Sequence, residues 1–278
     1  MKRKRGLLIA LTGCMLVTGI LTGCGEKVTA ESLLKEVNQN YMQAESLKGD
    51  LAVDIDLDVE ESGVSMNMVM GVDGTMELTN SPAAMHMDGN LNADFMGLKM
   101  NFEMYSVETD GNTNVYMKVM EQWTKTEDSS EKPKAAEFQD LFDKELTLSS
   151  KTEKIEGKEV YVLEGKLNSE GLEQQFAVLK ESMGEVFPEM DFGKMDIPIT
   201  LKVYKNSKLP ASIDMDMNGF MSEMFKTMGV EEQGGITVKN CRATMTFQEY
   251  NAVDAIEVPK EALDAAGQSL PDLAEEAL

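Results

Sequence analysis

The sequence predicts an α+β fold built on one large, curved antiparallel β-sheet. Two observations carry this. Apolar and polar residues alternate with a period of two through five successive runs between Leu51 and Val119, and turn-forming residues separate the runs. Elsewhere, apolar residues recur at helical spacing in short stretches that need a surface to lie on, and the sheet supplies it.

The chain opens with Lys2-Arg3-Lys4-Arg5, a cationic head, followed by the uncharged and mostly apolar run Gly6 to Thr22. This is the layout of a secretory signal, and Leu21-Thr22-Gly23-Cys24 resembles a bacterial lipobox, in which cleavage precedes a diacylglyceryl-modified Cys. The run is too short and too rich in Gly for a spanning helix of about 20 residues. Leu11-Thr12-Gly13-Cys14 spells the same four letters, but cleavage there leaves an apolar core of only Leu7 to Leu11, so Cys24 is the better site. The expected division is residues 1–23 as signal, 24–29 as lipidated Cys and tether, 30–260 as a single domain and 261–278 as an acidic tail. Gly25 to Thr29 reach less than roughly 20 Å when extended, so the domain sits close to the extracytoplasmic face of the membrane.

Removal of Met1 to Gly23 takes four basic residues and no acidic ones, and moves the net charge from −23 to −27. Such a chain repels nucleic acid and anionic headgroups. With 42% hydrophobic residues and interspersed Lys and Arg it is nonetheless a folding chain. Beyond Cys14 and Cys24 only Cys241 remains, so no internal disulfide supports the fold. Methionine is abundant, at 23 residues against 10 Phe and one Trp.

Thr29 caps a predicted helix striped by Leu33, Leu34, Val37, Tyr41, Ala44 and Leu47 and stopped by Gly49. The five alternating runs follow, turning at Glu61-Ser62-Gly63, Asn80-Ser81-Pro82 and Asp110-Gly111 as a meander. Two of the runs are long, roughly 13–15 residues against the usual 5–6, and Gly74 and Gly89 mark bends in them. Thr126 to Lys134 reads as a loop, and Phe138 to Leu146 as a short helix. A hairpin joins Leu146–Ile155 to Val160–Leu167, and a helix runs from Ser169 to Gly184. Residues 184–198 are irregular, and Ile199, Leu201 and Val203 pair with Ile213, Met215 and Met217. Phe220 to Met228 is a short helix, Ile236 to Tyr250 a last long strand, and the tail from Glu261 frays.

This order of elements resembles the LolA/LppX-like lipoprotein fold. The residues that carry the resemblance are Cys24, the helix from Thr29, the meander of 51–119, the hairpin Ile155-Glu156-Gly157-Lys158-Glu159-Val160, the strand Leu209-Pro210-Ala211-Ser212-Ile213-Asp214-Met215, and Tyr250-Asn251 with Ile256-Glu257-Val258-Pro259. It is similar to an uncharacterised family of Gram-positive lipoproteins with this fold. The resemblance implies a half-open barrel with helices on its concave face, and an apolar cavity that in better-known relatives carries lipids or lipoproteins.

The inner face is rich in Met. Met66, Met68, Met70, Met76, Met85, Met87, Phe95, Met100, Phe102, Met104, Met117, Met215 and Met217 fall on inward strand positions, and Met221, Met224 and Phe225 on the helix above them. Flexible thioethers re-pack around varied apolar guests, so these residues are the candidate cavity lining. The competing reading is a core filled by the same side chains. Met85-His86-Met87 is not a soft-metal site, because on a strand the two Met point one way and His86 the other, toward solvent. Asp54-Ile55-Asp56-Leu57-Asp58 lacks the Gly and Glu that a calcium loop needs at its sixth and twelfth positions, which here are Val59 and Ser65. Cys241 alternates with Ala243, Met245 and Phe247 as a small buried hydrophobe. Nucleotide, zinc and serine-hydrolase motifs are lacking, and no cofactor is expected. The expected function is a membrane-anchored lipoprotein that holds a lipid or another apolar ligand, with residues 184–198 and 220–229 as lids. The alternative is a non-enzymatic scaffold with a filled core, acting through its acidic surface. Neither reading names a protein partner.

Overall fold

The computed structural model describes residues 28–61, 63–109, 112–128, 138–142, 146–168, 196–229 and 235–265. The signal segment, Cys24, residues 169–195 and residues 266–278 lie outside them, and with them the Ser169–Gly184 helix and most of the 184–198 segment.

Helix α1 (Ala30–Met42) begins with a capping box: Thr29 Oγ1 accepts from the Ser32 N–H at 3.1 Å, and Ser32 Oγ accepts from the Thr29 N–H at 3.0 Å. It ends at Met42, earlier than its apolar spacing predicts, because Leu47 belongs to strand β1 (Ser46–Glu61), paired to Leu78 on one side and Tyr250 on the other. A two-sided ladder satisfies the backbone of this segment more fully than a further helical turn would. Gly49 is no helix stop either. It sits where β1 shifts register against its neighbour, and a Cβ there would collide with the Thr246 carbonyl.

The meander is β1, β2 (Val64–Asn80), β3 (Ala83–Ala93), β4 (Leu98–Thr109), β5 (Asn112–Val119) and β6 (Gln122–Asp128). Strand β6 replaces the start of the loop expected from Thr126. It is joined to β5 by a two-residue turn, Met120-Glu121, with both residues at positive φ. The run from Leu146 breaks into β7 (Thr147–Leu148) and β8 (Glu153–Ile155), both paired to β9 (Lys158–Lys166). The expected helix at Phe138 is a 3₁₀ turn, Phe138–Leu141, after which Phe142 bridges to Leu167. Strands β10 (Pro198–Tyr204) and β11 (Pro210–Asp216), helix α2 (Asn218–Thr227), strand β12 (Ile236–Tyr250) and helix α3 (Lys260–Asp264) complete the order.

Among the described residues all the pairings are antiparallel, and their 12-stranded sheet runs β6-β5-β4-β3-β2-β1-β12-β11-β10-β9-β7, with β8 beside β9. It is a large open sheet: the two longest ladders, of β1 with β2 and with β12, lie in its middle, and β6 and β7 end it. The main described core lies where α1 and α2 cover the later strands. Leu33 and Val37 meet Leu163, Ile199, Leu201, Val203 and Ile213 of the sheet, Phe138 and Phe142, and Phe220 of α2.

Two expectations change at the ends of elements. Strand β11 stops at Asp216, so Met217 precedes α2 instead of extending the strand, and its N–H donates to the Cys241 carbonyl. The segment from Glu261 does not begin as a frayed tail: it lies within α3, whose Ala262 is fully buried, and the docked chain continues to Ala265.

Candidate ligand-binding face

Residues directly paired across a sheet share a face, so the register shows which side chains look the same way. One row crosses eleven strands: Gln122, Val119, Phe102, Gly89, Gly74, Leu51, Met245, Ile213, Leu201, Leu163 and Leu148. Leu201, Leu163 and Ile213 lie in the core under α1, so the whole row belongs to the helix-bearing face. The next row contains four methionines side by side, Met117, Met104, Met87 and Met76, continued by Gly49 and Phe247. Another runs Met100, Leu91, Val72, Val53, Ala243, Met215 and Ile199. Met85 pairs with Leu78, Met70 with Ile55, Met68 with Leu57 and Met66 with Val59 on the same face. The alternation read from sequence therefore brings these methionines and Phe102 together.

They are not equally enclosed. Met215, Met217, Met221 and Met224 pack against the core under the helices, and Phe225 on α2 is half-buried. Met87 is buried in the middle of the methionine row, whereas Met66, near the β1–β2 turn, is 50% exposed. Phe95 is not on a strand row: it lies in a 3₁₀ turn, Asp94–Met96, and its side chain is outside the described residues.

The opposite face carries the charges but is not bare. Asp54, Asp56 and Asp58 line it as expected. Asp58 is 2.6 Å from Lys239, and Asn67 Nδ2 donates to Asp56 and Asp58, so these carboxylates serve cross-strand contacts. The Lys239 hydrogen bond, then that of Asn67, holds the Asp58 carboxyl below its usual range. His86 does point away from Met85 and Met87 but is not a solvent-face residue. Its ring stacks on Tyr105, and it stands between Glu77 (Nδ1 to Oε2, 3.7 Å) and Glu103 (Nε2 to Oε1, 3.4 Å), with Nε2 buried. Residues 252–257, returning from β12, cover it and with Lys48, Glu77, Tyr105 and Glu249 enclose a half-open cavity of about 320 Å³. Lys48 donates to Glu77 at 2.6 Å, which is the main cause holding the Glu77 carboxyl below its usual range.

Sequence reasoning missed a second apolar cluster on this face, in which Ile256, Val258 and Ala262 lie on Tyr105, Tyr116, Val107 and Trp123. The available signal was the alternation of Ile256 and Val258 with Glu257 after the last strand. Cys241 is buried on the helix-bearing face, opposite Ile55, and burial followed by Asp216 pushes its thiol up to about 11. Among the described residues no group of three or more His, Cys, Asp or Glu is arranged to hold a metal ion, and no helix is long and apolar enough to cross a membrane.

Solved structures similar to this chain include the lipoprotein LppX of Mycobacterium tuberculosis, at 12% identity and a TM-score of 0.45, covering 82% of this chain and 100% of that one. LprF of Mycobacterium bovis is similar at 12% identity and a TM-score of 0.44, covering 84% and 96%. A LolA-superfamily protein of Nitrosomonas europaea shows 11% identity and a TM-score of 0.21 over 82% and 96%. No curated protein matches the sequence. The chain belongs to the family of unknown function DUF6612, whose pattern it matches over residues 29–267.

Proposed function

We propose that this protein is a non-enzymatic, extracytoplasmic lipoprotein, tethered through a diacylglyceryl Cys24, that shelters an acyl chain or another apolar ligand against its helix-bearing face. The observation that carries the ligand reading is the methionine row Met76–Met87–Met104–Met117. Four adjacent strands present unbranched thioethers in register, a wall that changes shape at little cost as guests differ. Binding on this reading transfers apolar surface of the guest from water to that wall, at about 25 cal/mol per Å², and no bond is made or broken. The sequence supports the tether: the basic head, the short apolar run and Leu21-Thr22-Gly23-Cys24. Two or more acyl chains on Cys24 anchor stably, where one binds marginally.

The two halves of the proposal have separate tests. Radiolabelled palmitate incorporated by cells should mark the wild type and not Cys24→Ser; equal labelling of both removes the tether. A fluorescent fatty acid titrated onto residues 25–278 should bind saturably, and Met87→Gln with Met104→Gln should weaken it about tenfold or more. Affinity unchanged in the double variant removes the ligand wall. A scaffold with a filled core is the second reading, favoured by the fully buried Leu33, Leu163 and Leu201 under α1.

A further inference from the structure

The two ends of the strands are chemically different. At one end the turns are polar: Asn80-Ser81-Pro82 between β2 and β3, Glu156-Gly157 between β8 and β9, and Lys205 to Lys208 between β10 and β11. At the other end large apolar side chains stand in water at every described turn. Val64 and Met66 at the β1–β2 turn are 68% and 50% exposed, Met96 between β3 and β4 is 59%, Met120 between β5 and β6 is 49%, and Met228 at the end of α2 is 42%. Met42 at the opposite end, Val69 within β2 and Leu263 of α3 are exposed singly, and such a scatter needs no explanation; five large apolar side chains gathered at one end do.

Met120 adds an independent observation. A two-residue turn with positive φ at both positions favours Asn-Gly, since other side chains are strained there. Here the positions hold Met120 (φ 51°) and Glu121 (φ 65°). A long apolar side chain is kept in water at a site where it costs backbone energy and packs no core.

We propose that this end of the sheet docks onto the surface of a lipid bilayer with neutral or zwitterionic headgroups, Met66, Met96, Met120 and Met228 entering the headgroup–acyl boundary. The proposal extends the membrane-tethered reading and rests on it. Charge favours a neutral surface over an anionic one: the chain carries a net charge of −23, and Glu121 beside Met120 is 87% exposed. Of the nearby cations, Lys118, Lys226 and Lys239 are paired with Glu121, Glu223 and Asp58 at 3.0, 3.2 and 2.6 Å, leaving Lys99 beside the Met96 turn. Shape favours a fluid one. The β1–β2 turn projects six residues beyond the pairing of β2 with β3, and β4 begins four residues before its pairing with β5, so the apolar groups lie on separate steps. Isolated prongs enter a soft interface readily but offer a rigid partner no continuous patch.

The test uses residues 25–278, without the lipid anchor, and vesicles of pure phosphatidylcholine in a sedimentation assay. The wild type should partition onto vesicles, equally in about 0.1 and 0.5 M NaCl. Met66→Lys with Met96→Lys and Met120→Asn should lower the partition coefficient at least about tenfold, and Met120→Asn with Glu121→Gly about two- to threefold. That second variant installs the preferred turn, so it cannot lose binding through misfolding. Met42→Lys, an exposed residue at the other end, should bind as wild type. Equal binding by wild type and triple variant, no binding by wild type, or binding only to phosphatidylglycerol vesicles would overturn the proposal. So would loss of a dimer in sedimentation velocity, which assigns the end to a second copy of the chain. Failure here with intact palmitate labelling leaves the tether standing and removes only the docking.

Discussion

The imidazole of His86 lies against the phenol ring of Tyr105, centroids 4.3 Å apart and planes 17° from parallel. Both stand on the face opposite the methionine row, and Tyr105 is only 9% exposed, covered by the chain that leaves β12. An antiparallel sheet commonly has one face in water. Here α1 and α2 pack on one face while the segment through α3 straps part of the other, anchored by hydrogen bonds from the Val253 N–H to Ser46 Oγ and from the Glu45 N–H to Asn251 Oδ1.

Ala262, fully buried beside Tyr105 and Tyr116, fixes the end of that strap. Ala262→Glu forces a carboxylate into this contact and should cost about 1–3 kcal/mol. Trp123, the only Trp, lies in the same cluster, so its emission should shift to the red in the variant while the rest of the sheet keeps its circular dichroism. An unshifted spectrum means that α3 does not hold this place.

Glu77 supplies a pH signature. Its hydrogen bond from Lys48 holds the folded carboxyl below the usual 4.5, so its contribution to stability is complete above that value and is lost as pH falls through the lower folded one. Glu77→Gln should therefore be less stable than wild type near about pH 6, with the gap narrowing below about pH 4.5. Urea unfolding of both proteins across that range reads the difference. A gap that does not change with pH contradicts the assigned contact.

Gly74 and Gly89 face each other across β2 and β3, next to the methionine row. A Cβ on Gly89 would lie 2.6 Å from the Asp73 carbonyl oxygen and 2.7 Å from Phe102 Cζ. The ring can turn aside, but the carbonyl belongs to the ladder. Gly89→Ala should destabilise by about 1–3 kcal/mol in denaturant unfolding, and a neutral result would show that the sheet relaxes here.

The Cys241 thiol, buried and pushed up to about 11, should react slowly with a disulfide reagent at about pH 8 in the native protein of residues 25–278 and rapidly in denaturant. The rate in rising urea then follows unfolding. Fast native labelling would contradict the burial of Cys241, which is 3% exposed and whose backbone N–H donates to Asn218 Oδ1 at 2.6 Å.

The alternation between Leu51 and Val119 was readable because each strand repeats the same two-residue choice, and antiparallel turns hand it on to the next. Strand β6 was not: its helix-bearing positions are Gln122, Thr124 and Thr126, and its turn is Met120-Glu121, with neither Gly nor Asn. The aromatic cluster was hidden for a different reason. Tyr105, Tyr116 and Trp123 sit singly on three strands, and only the register, with Tyr105 opposite Tyr116 and Trp123 opposite Lys118, gathers them. Helix α3 has five residues, too few for a helical stripe to be seen. Local pattern thus carried the candidate face, while contacts set by register alone did not.

The most direct measurement of the ligand reading is mass spectrometry of organic extracts from natively purified protein of residues 25–278. An acyl lipid recovered in about one-to-one ratio, and lost together with saturable fatty-acid binding in Met87→Gln with Met104→Gln, is the predicted result. A lipid-free extract from a fully folded protein that also takes up no added fatty acid would contradict it.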